Sequence, residues 1–398
     1  LAFRKIAVKA FDEPRPYPIP ESLMTTNWQE VVNDPQVQVI IELVGGTGIA
    51  RTMVLASLAL GKTVVTANKA LLSAHGPELF TAAAKGGANL YYEASVCGGI
   101  PIIKSLREGF VANQFSAIYG IVNGTCNYIL TRMKLEGAEF ADVLADAQEQ
   151  GYAETPPDLD IDGKDAQHKI GILASLAHGF WVKHEEIHTE GIRDVSKIDM
   201  QFAQQLGYTI KLLGIVKKMR NRDGVQVSVY PTLIPNAHVL ASVNGVFNAC
   251  FVRGDVVGDT LFYGRGAGKD ATASAVLSDV ADAALDLKHG VKARVPPFVA
   301  HAKNARVTPV DDIVSQYYVR LSVVDRPGVL AKVAAIFAAA RIGISSVIQP
   351  EGHEGESVPL IFMIHDAANA AMRKALGRIA KLPAVKAKPV MFRVESFE

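Results

Sequence analysis

The sequence predicts an α/β fold, built on a doubly wound parallel sheet that is followed by an α+β domain and a smaller α+β unit. Three observations predict this class. Buried strand patterns alternate with helices over residues 1–104, antiparallel strand patterns appear within 105–268, and strands and helices follow one another as β-α-β-β-α-β over 316–398. We expect residues 269–290 to return to the first domain as a helix and residues 291–315 to form a linker.

The composition is that of a globular protein with a large core. Of 398 residues, 49% are hydrophobic and 20% are charged, and the formal net charge is +1. A charge this close to zero gives no field that favours nucleic acid or an anionic membrane. No apolar run has the length of a membrane span, and no signal peptide is recognisable. The three cysteines form no disulfide framework and no metal-binding spacing, which predicts a cytoplasmic location.

The pattern of the first domain is typical of a Rossmann-like sheet. Residues 4–11 alternate like a strand, and residues 37–46 (VQVIIELVGG) and 63–72 (TVVTANKALL) contain apolar runs like those of strands buried on both faces. Ligands of such sheets bind beyond the carboxyl ends of the strands. The turn at residues 45–48 and the segment 66–69 fall at those ends, so we expect a ligand there.

The dinucleotide fingerprint of such a sheet, a strand followed by G-x-G-x-x-G, is absent. The GGTG turn follows a later strand and lacks this spacing. The chain opens on a segment that the pattern identifies as the second strand of the fold. We therefore expect the first βα unit, which would cradle the pyrophosphate, to be missing, as in an N-terminally truncated form.

The segment from Gly151 to Lys169 holds the residues most suited to acid/base chemistry. After GYAE and an acidic, proline-rich loop, a helical pattern begins near residue 163, and Asp165 and Lys169 lie one turn apart on it. Lys169 borders an apolar stripe. There a carboxylate can orient the amine, and the proton affinity of the amine can be lowered enough for proton transfer. An ordinary ion pair on a helix surface is the alternative that the spacing alone leaves open.

Two junctions between a loop and a helix predict ligand sites. Residues 264–268 (GRGAG) precede an alanine-rich helix, so their amides are expected to face an anion or a ring, with a plain tight turn as the alternative. The third unit has the ferredoxin-like order, and Asp325, Arg326 and Gly328 open its first helix. The free N–H groups of that helix are available to a ligand carboxylate.

Taken together, these motifs resemble homoserine dehydrogenase in the form that carries a C-terminal ACT domain. IELVGG, TANKALL, YEASVCGGIPII, VNGTCNYIL, GYAE, DAQHK and GRGAG stand in the order of that family, and DRPGVL resembles the ACT regulatory modules. The resemblance covers residues 4–398. It implies NADP- or NAD-dependent interconversion of L-homoserine and L-aspartate 4-semialdehyde, in threonine, methionine and isoleucine biosynthesis. It also implies L-threonine as an effector, bound at Asp325, Arg326 and Gly328, and a homodimer or homotetramer.

The resemblance further implies roles for single residues around the substrate. The catalytic lysine of the family matches Lys169, which the carboxylate matching Asp165 orients. A second lysine near substrate and nicotinamide matches Lys69, and which of the two amines transfers the proton stays open. Glu154 matches the residue that holds the ammonium group of the substrate, and Asp160 matches another acidic position on the substrate side.

For the cofactor, the resemblance implies contacts at Gly151, Gly268 and Lys69. Lys9 matches a basic position after the second strand, where a cation can meet a 2′-phosphate, and this favours NADP over NAD; a solvated surface lysine is the alternative. A monovalent-cation site made of backbone carbonyls is also implied, and its hard oxygen ligands suit sodium. Its positions match Glu93, Val96, Gly98 and Ile100.

Two other functions are compatible with parts of the chain. A semialdehyde dehydrogenase that forms a thioester would need an activated cysteine, for which Cys97 and Cys126 are the candidates, although each is more typical of a small packing residue. A non-catalytic amino-acid sensor would keep the third unit functional and the nucleotide fold inert.

Overall fold

The structure, a computed structural model, describes residues 1–219, 224–291, 294–302, 304–350 and 356–397. The first domain contains short parallel strands and the helices that flank them. Its elements are β1 (Ile6–Ala7), β2 (Met24–Thr25), α1 (Trp28–Val32), β3 (Val39–Glu42), α2 (Ile49–Ala59), β4 (Thr63–Thr66), α3 (Lys69–Gly86) and β5 (Leu90–Tyr91). β3, β4 and β5 form a parallel sheet in that order. Every residue of β4 is buried, as in the centre of a parallel sheet covered on both faces.

The strand expected over residues 4–11 is shorter and lies outside this sheet. Only Ile6–Ala7 is a strand, and it pairs in parallel with β2 in a separate two-stranded sheet. A doubly wound sheet has the strand order 3-2-1-4-5-6. Strands 2 and 3 are neighbours in that order, as are strands 4, 5 and 6, and the described residues show a β1-β2 pair and a separate β3-β4-β5 sheet.

The second domain places helices against a mainly antiparallel sheet. α4 (Ile102–Lys104) leads into this domain, and α10 (Lys269–Lys288) follows it. Its elements are β6 (Phe115–Ile121), α5 (Gly124–Glu136), α6 (Phe140–Glu149), α7 (Asp158–Ile161), α8 (Lys164–His178), β7 (His188–Thr189), α9 (Lys197–Gln205), β8 (Tyr208–Lys218), β9 (Val225–Pro235), β10 (Phe247–Gly254) and β11 (Gly258–Arg265). A π-helix (Ser105–Gly109) continues α4. Short 3₁₀ helices complete the chain, at Glu21–Leu23, Glu93–Ser95, His184–Glu186, Val239–Ser242 and Val310–Asp312.

Helix α8 lies close to the sheet because glycines face it. Gly120 of β6 pairs with Gly214 of β8, and a Cβ added at Gly214 would lie 3.0 Å from side-chain atoms of Ile170. α8 also packs against α3 of the first domain, so the two domains meet along this helix. Helix α10 packs against β4 through a buried cluster that includes Val65, Val276 and Val280.

The third domain consists of β12 (Val314–Val324), α11 (Val329–Ala339), β13 (Ile344–Ile348), β14 (Ser357–Ala368), α12 (Asn369–Ile379) and β15 (Val390–Val394). This order confirms the ferredoxin-like prediction, and the domain has its own core around Val333, Phe337 and Phe362. The sheets of the second and third domains are continuous, because β15 pairs in parallel with β9. The joined sheet has ten strands in the order β11-β10-β6-β8-β9-β15-β12-β14-β13, with β7 beside β9.

Within the described residues, the helices lack the length and apolar character needed to cross a bilayer.

Candidate active site

Lys169 and Asp165 form a buried ion pair at the start of α8. The helix begins after Gly163, which adopts a left-handed φ of +76°, and Asp165 lies in its first turn. Lys169 is only 8% exposed. Its Nζ donates to Asp165 Oδ2 at 2.7 Å and to the carbonyl of Val122 at 2.8 Å. The pair is therefore not the solvated helix-surface pair that the spacing alone allowed.

A second amine reaches the same carboxylate from the first domain. Lys69 begins α3, directly after the helix cap Asn68, and its Nζ lies 3.0 Å from Asp165 Oδ1. The Lys69 side chain is 39% exposed, whereas that of Asp165 is 11% exposed. One carboxylate thus holds a buried and a solvent-facing amine at the junction of two domains.

The charges of this cluster reinforce one another. Burial lowers the pKa of Lys169, but the charge and hydrogen bond of Asp165, together with the charges of Cys97 and Asp160, raise it, so the pKa lies above its usual value. Burial raises the pKa of Asp165, yet Lys169 and Lys69 hold it well below its usual range. The expectation that the proton affinity of Lys169 is lowered is therefore wrong in this structure. At neutral pH the amine is an ammonium, poised to donate a proton.

Asn123 joins this cluster to the acidic loop, and sequence analysis gave it no role. Its side-chain oxygen caps α5 by accepting from Cys126 N at 2.8 Å. Its Nδ2 donates to Asp160 Oδ1 at 2.8 Å and to Asp165 Oδ2 at 2.9 Å. The N-G-T turn before a helical pattern could have identified the cap. The bridge could not be found from sequence, because it joins side chains that are remote along the chain.

The acidic positions expected near the substrate surround this bridge. Asp160 lies on α7 and is partly buried, whereas Glu154 and Gly151 lie in the exposed loop before it. Burial raises the pKa of Asp160, the Asn123 bond lowers it, and the charges of Asp165 and Glu154 raise it again, with a net rise. A ligand ammonium placed here would relieve this repulsion.

The turn after β3 is fixed by a buried glutamate. Glu42 is 2% exposed, and its Oε1 accepts from the amides of Val44 and Gly45 at 2.8 and 3.0 Å. Its Oε2 accepts from Thr66 Oγ1 at 2.6 Å. Asn68, next to Lys69, donates to the carbonyl of Gly46 at 2.8 Å. One network therefore orders both strand ends where the sequence predicted a ligand.

The glycines at these loops have left-handed backbone conformations and open space beside them. Gly45, Gly46 and Gly268 have φ values of +78°, +70° and +106°, and a Cβ added to any of them would meet no atom within 4 Å. Gly268 begins α10, whose first amides are available to an anion. Lys9, expected at a 2′-phosphate, is exposed just beyond β1.

The backbone segment expected to bind a monovalent cation is buried. Glu93, Val96 and Ile100 are 5%, 0% and 3% exposed, and Gly98 turns the chain with a φ of +49°. The carboxylate of Glu93 accepts from the amides of Ile103 and Lys104 at 2.8 and 2.7 Å, and its backbone carbonyl accepts from Val96 N at 3.4 Å. Burial raises the pKa of Glu93 to about 7. Backbone carbonyls are hard oxygen ligands of the kind that a monovalent cation takes.

The cysteines are placed as packing residues. Cys97 and Cys250 are fully buried, with their Sγ atoms 3.6 Å apart. The hydrogen bond with Cys250 lowers the pKa of Cys97 against the effect of burial. Burial raises the pKa of Cys126 well above its usual value. A thioester mechanism needs a nucleophile that substrate can reach, and these thiols are enclosed.

The predicted effector residues line a cavity of about 420 Å³ on the third domain. Asp325, Arg326 and Gly328 contribute to its wall, together with Gln349, whose Nε2 donates to Asp325 Oδ1 at 2.9 Å. Gly328 precedes α11 with a φ of +87°. The cavity therefore lies at the helix start that the sequence indicated.

Comparison with known proteins first defines the class. The family model of the homoserine dehydrogenase NAD-binding domain matches residues 3–93, and the ACT domain model matches residues 317–384. With the geometry above, these matches define an NAD(P)-dependent oxidoreductase that carries an ACT domain.

The particular family follows from the remaining matches. The homoserine dehydrogenase model matches residues 101–281. Homoserine dehydrogenases from Synechocystis and Pseudomonas aeruginosa are each 41% identical to this chain; the matches cover 99% and 94% of it and 92% and 86% of those proteins. The crystal structure of a homoserine dehydrogenase from Thiobacillus denitrificans matches with a TM-score of 0.91 and 41% identity, over 99% of this chain and 90% of that one. A hyperthermophilic archaeal homoserine dehydrogenase in complex with NADPH matches with a TM-score of 0.57 and 31% identity, over 65% of this chain and 75% of that one.

The chain belongs to the homoserine dehydrogenase family. This confirms the resemblance and the enzyme class expected from sequence.

Proposed function

We propose that Lys169 transfers the proton when this enzyme interconverts L-homoserine and L-aspartate 4-semialdehyde. The observation that carries the proposal is the buried ammonium of Lys169, bonded to Asp165 and to the Val122 carbonyl. In the reducing direction the developing alkoxide takes a proton from Lys169, while Asp165 keeps the amine oriented. In the oxidising direction the neutral amine accepts the hydroxyl proton. A bound nicotinamide supplies or accepts the hydride at the same carbon.

Lys69 has a different role in this proposal. Its amine shares Asp165 but is 39% exposed, so it is suited to steady the charge on the substrate oxygen at the domain junction. Glu154 and Asp160 hold the substrate ammonium. The raised pKa of Asp160 supports this role, because a cation beside Asp160 would stabilise the ionised carboxylate.

For the cofactor we propose NADP, held at Lys69, Gly151 and Gly268. Lys9 is the cation for the 2′-phosphate, and KM values for NADPH and NADH on the purified chain decide this preference. We propose sodium at the carbonyls of residues 93–100, for which replacement of sodium by choline in a thermal melt is the test.

We further propose L-threonine as the effector, a homodimer or homotetramer as the assembly, and the same domain boundaries as those expected from sequence. The cavity at Gly328 supports the first, and light scattering measures the second. The packing of α10 against β4 supports the return of residues 269–290 to the first domain. A cytoplasmic location stays a prediction.

The decisive experiment follows NADPH consumption with L-aspartate 4-semialdehyde. Lys169→Ala is expected to lower kcat by roughly 10²–10⁴-fold, because the proton donor is lost. Lys69→Ala should lower kcat less than Lys169→Ala does. Lys164→Ala, an exposed lysine on the same helix, is the matched control and should stay near the parental rate. Parental turnover in Lys169→Ala would exclude the role assigned to this amine.

A further inference from the structure

The amide of Asn123 ties together two carboxylates that have different tasks in the proposed function. Asp160 belongs to α7 and faces the substrate ammonium, whereas Asp165 belongs to α8 and orients Lys169. The two hydrogens of a single nitrogen are shared between them, at donor–acceptor distances of 2.8 and 2.9 Å. Two such bonds keep the acceptor oxygens no more than about 6 Å apart.

We propose that Asn123 is a positioning residue that fixes the distance between the ammonium subsite at Asp160 and the proton-transferring pair Lys169–Asp165, and so selects substrates of homoserine length. This inference rests on the proposed function of those acidic residues. Asn123 is itself held in place, because it is 5% exposed and its oxygen accepts from Cys126 N at 2.8 Å.

The selection follows from the geometry of the substrate. In L-homoserine the amine is on C2 and the reacting oxygen on C4, so a ligand anchored by its ammonium reaches Lys169 only with the right number of carbons. Asp165 is anchored by Lys169 and Lys69. Asp160 is repelled by Asp165 and Glu154 and attracted by Lys169. Without the amide bridge, the two carboxylates are free to separate and to admit a longer ligand.

Asn123 also caps α5, so the test must separate the bridge from the cap. Loss of a cap costs about 1 kcal/mol of stability, and it would affect every substrate alike. Asn123→Ser keeps an oxygen that can cap the helix, but its single hydroxyl cannot reach both carboxylates. Asn27→Ser is the matched control, because Asn27 caps α1 in the same way, by accepting from Gln29 N, and lies in a different domain.

The experiment compares kcat/KM for L-homoserine and for its homologue with one more methylene, L-2-amino-5-hydroxypentanoate, with NADP as cofactor. We expect the parent to prefer L-homoserine by at least about tenfold. Asn123→Ser should lose roughly 10–100-fold on L-homoserine but less than about threefold on the homologue, so that the preference shrinks. Asn27→Ser should keep the parental ratio.

Equal losses on both substrates would reduce Asn123 to a helix cap and overturn the proposal. A parent enzyme that does not discriminate between the two substrates would overturn it as well. A parent that does not turn over L-homoserine at all would contradict the proposed function instead. In that case calorimetry measures the affinity of each of the two hydroxy amino acids for the parent and for Asn123→Ser, and so makes the same comparison without turnover.

Discussion

Two amines and one amide converge on the carboxylate of Asp165. Lys169 and Asn123 donate to Oδ2 at 2.7 and 2.9 Å, and Lys69 lies 3.0 Å from Oδ1. A buried carboxylate with this many donors stays ionised, and it holds Lys169 as an ammonium. In the proposed function, this ammonium donates the proton in the reducing direction.

This arrangement predicts that the rates of the two directions depend differently on pH. Because the pKa of Lys169 is raised, its ammonium persists from neutral to mildly alkaline pH, and the rate of semialdehyde reduction should be flat between about pH 7 and 9. Oxidation needs the neutral amine, so its rate should climb by up to about tenfold for each pH unit over the same range. Stopped-flow rates of the hydride-transfer step in both directions measure this. A flat profile for oxidation would contradict it.

At the scale of single residues, contacts between side chains of the same helix could be predicted from the sequence. Asp165 and Lys169 are four positions apart, so helical periodicity alone placed them together. Lys69 meets Asp165 only after two domains have packed, and Asn123 meets it only after distant segments of the second domain have come together, so no local pattern reports either contact. The proton affinity of Lys169 was predicted with the wrong direction, because the balance between burial and Asp165 depends on distances that spacing does not give.

At the scale of elements, β15 joins two domains through a buried arginine. Arg393 is 2% exposed, and its guanidinium donates to both carboxylate oxygens of Glu190 at 2.9 and 3.0 Å. It also donates to Asn369 Oδ1 at 2.8 Å and lies 4.2 Å from the ring centroid of Tyr230. The pairing of β15 with β9 is therefore reinforced by contacts to β9, to α12 and to the segment after β7.

We expect Arg393→Ala to lower the free energy of unfolding by about 3 kcal/mol, because it leaves Glu190 and Asn369 without their buried partner. Arg373→Ala is the matched control. Arg373 pairs with Asp311 at 3.0 Å, but both side chains are at least half exposed, so a loss below about 1 kcal/mol is expected. Denaturant unfolding followed by circular dichroism measures both. Equal losses would contradict a stabilising role for the buried pair.

Most elements could be predicted from sequence, with two instructive exceptions. The antiparallel strands near residues 225–265 and the whole β-α-β-β-α-β unit were expected and are present. β8 (Tyr208–Lys218) was not expected. Its sequence is largely apolar, and an apolar segment does not by itself distinguish a strand from a buried helix. β1 was expected as a longer strand, but pairing partners rather than local pattern decide how far a strand extends.

At the scale of the whole molecule, the proposed effector cavity and the candidate active site lie in different domains connected by packed residues. The segment after Glu190 contacts the acidic loop, because Ile192 N donates to the Ile161 carbonyl at 2.8 Å and Arg193 Nε lies 2.5 Å from Asp162 Oδ1. Glu190 in turn binds Arg393 of the third domain. The contacts therefore connect β15 to the end of α7, the helix that carries Asp160.

The proposed effector role predicts that Gly328→Val abolishes inhibition by L-threonine. A valine there is strained at a φ of +87° and occupies the cavity, while the active site is untouched. Gly290→Val is the matched control, since Gly290 also has a positive φ, of +63°, but does not line the cavity. NADPH consumption with and without L-threonine measures both variants. Full inhibition of Gly328→Val would place the effector elsewhere.

Deletion of the third domain would cut the chain ahead of β12. Here the cut would strip β9 of a hydrogen-bonded neighbour and uncover Glu190 and Tyr230, because module and catalytic domain share one sheet. A strand edge opened in this way is a template for aggregation. Substitutions inside the proposed effector cavity are therefore a better way to remove inhibition by L-threonine than deletion of the third domain.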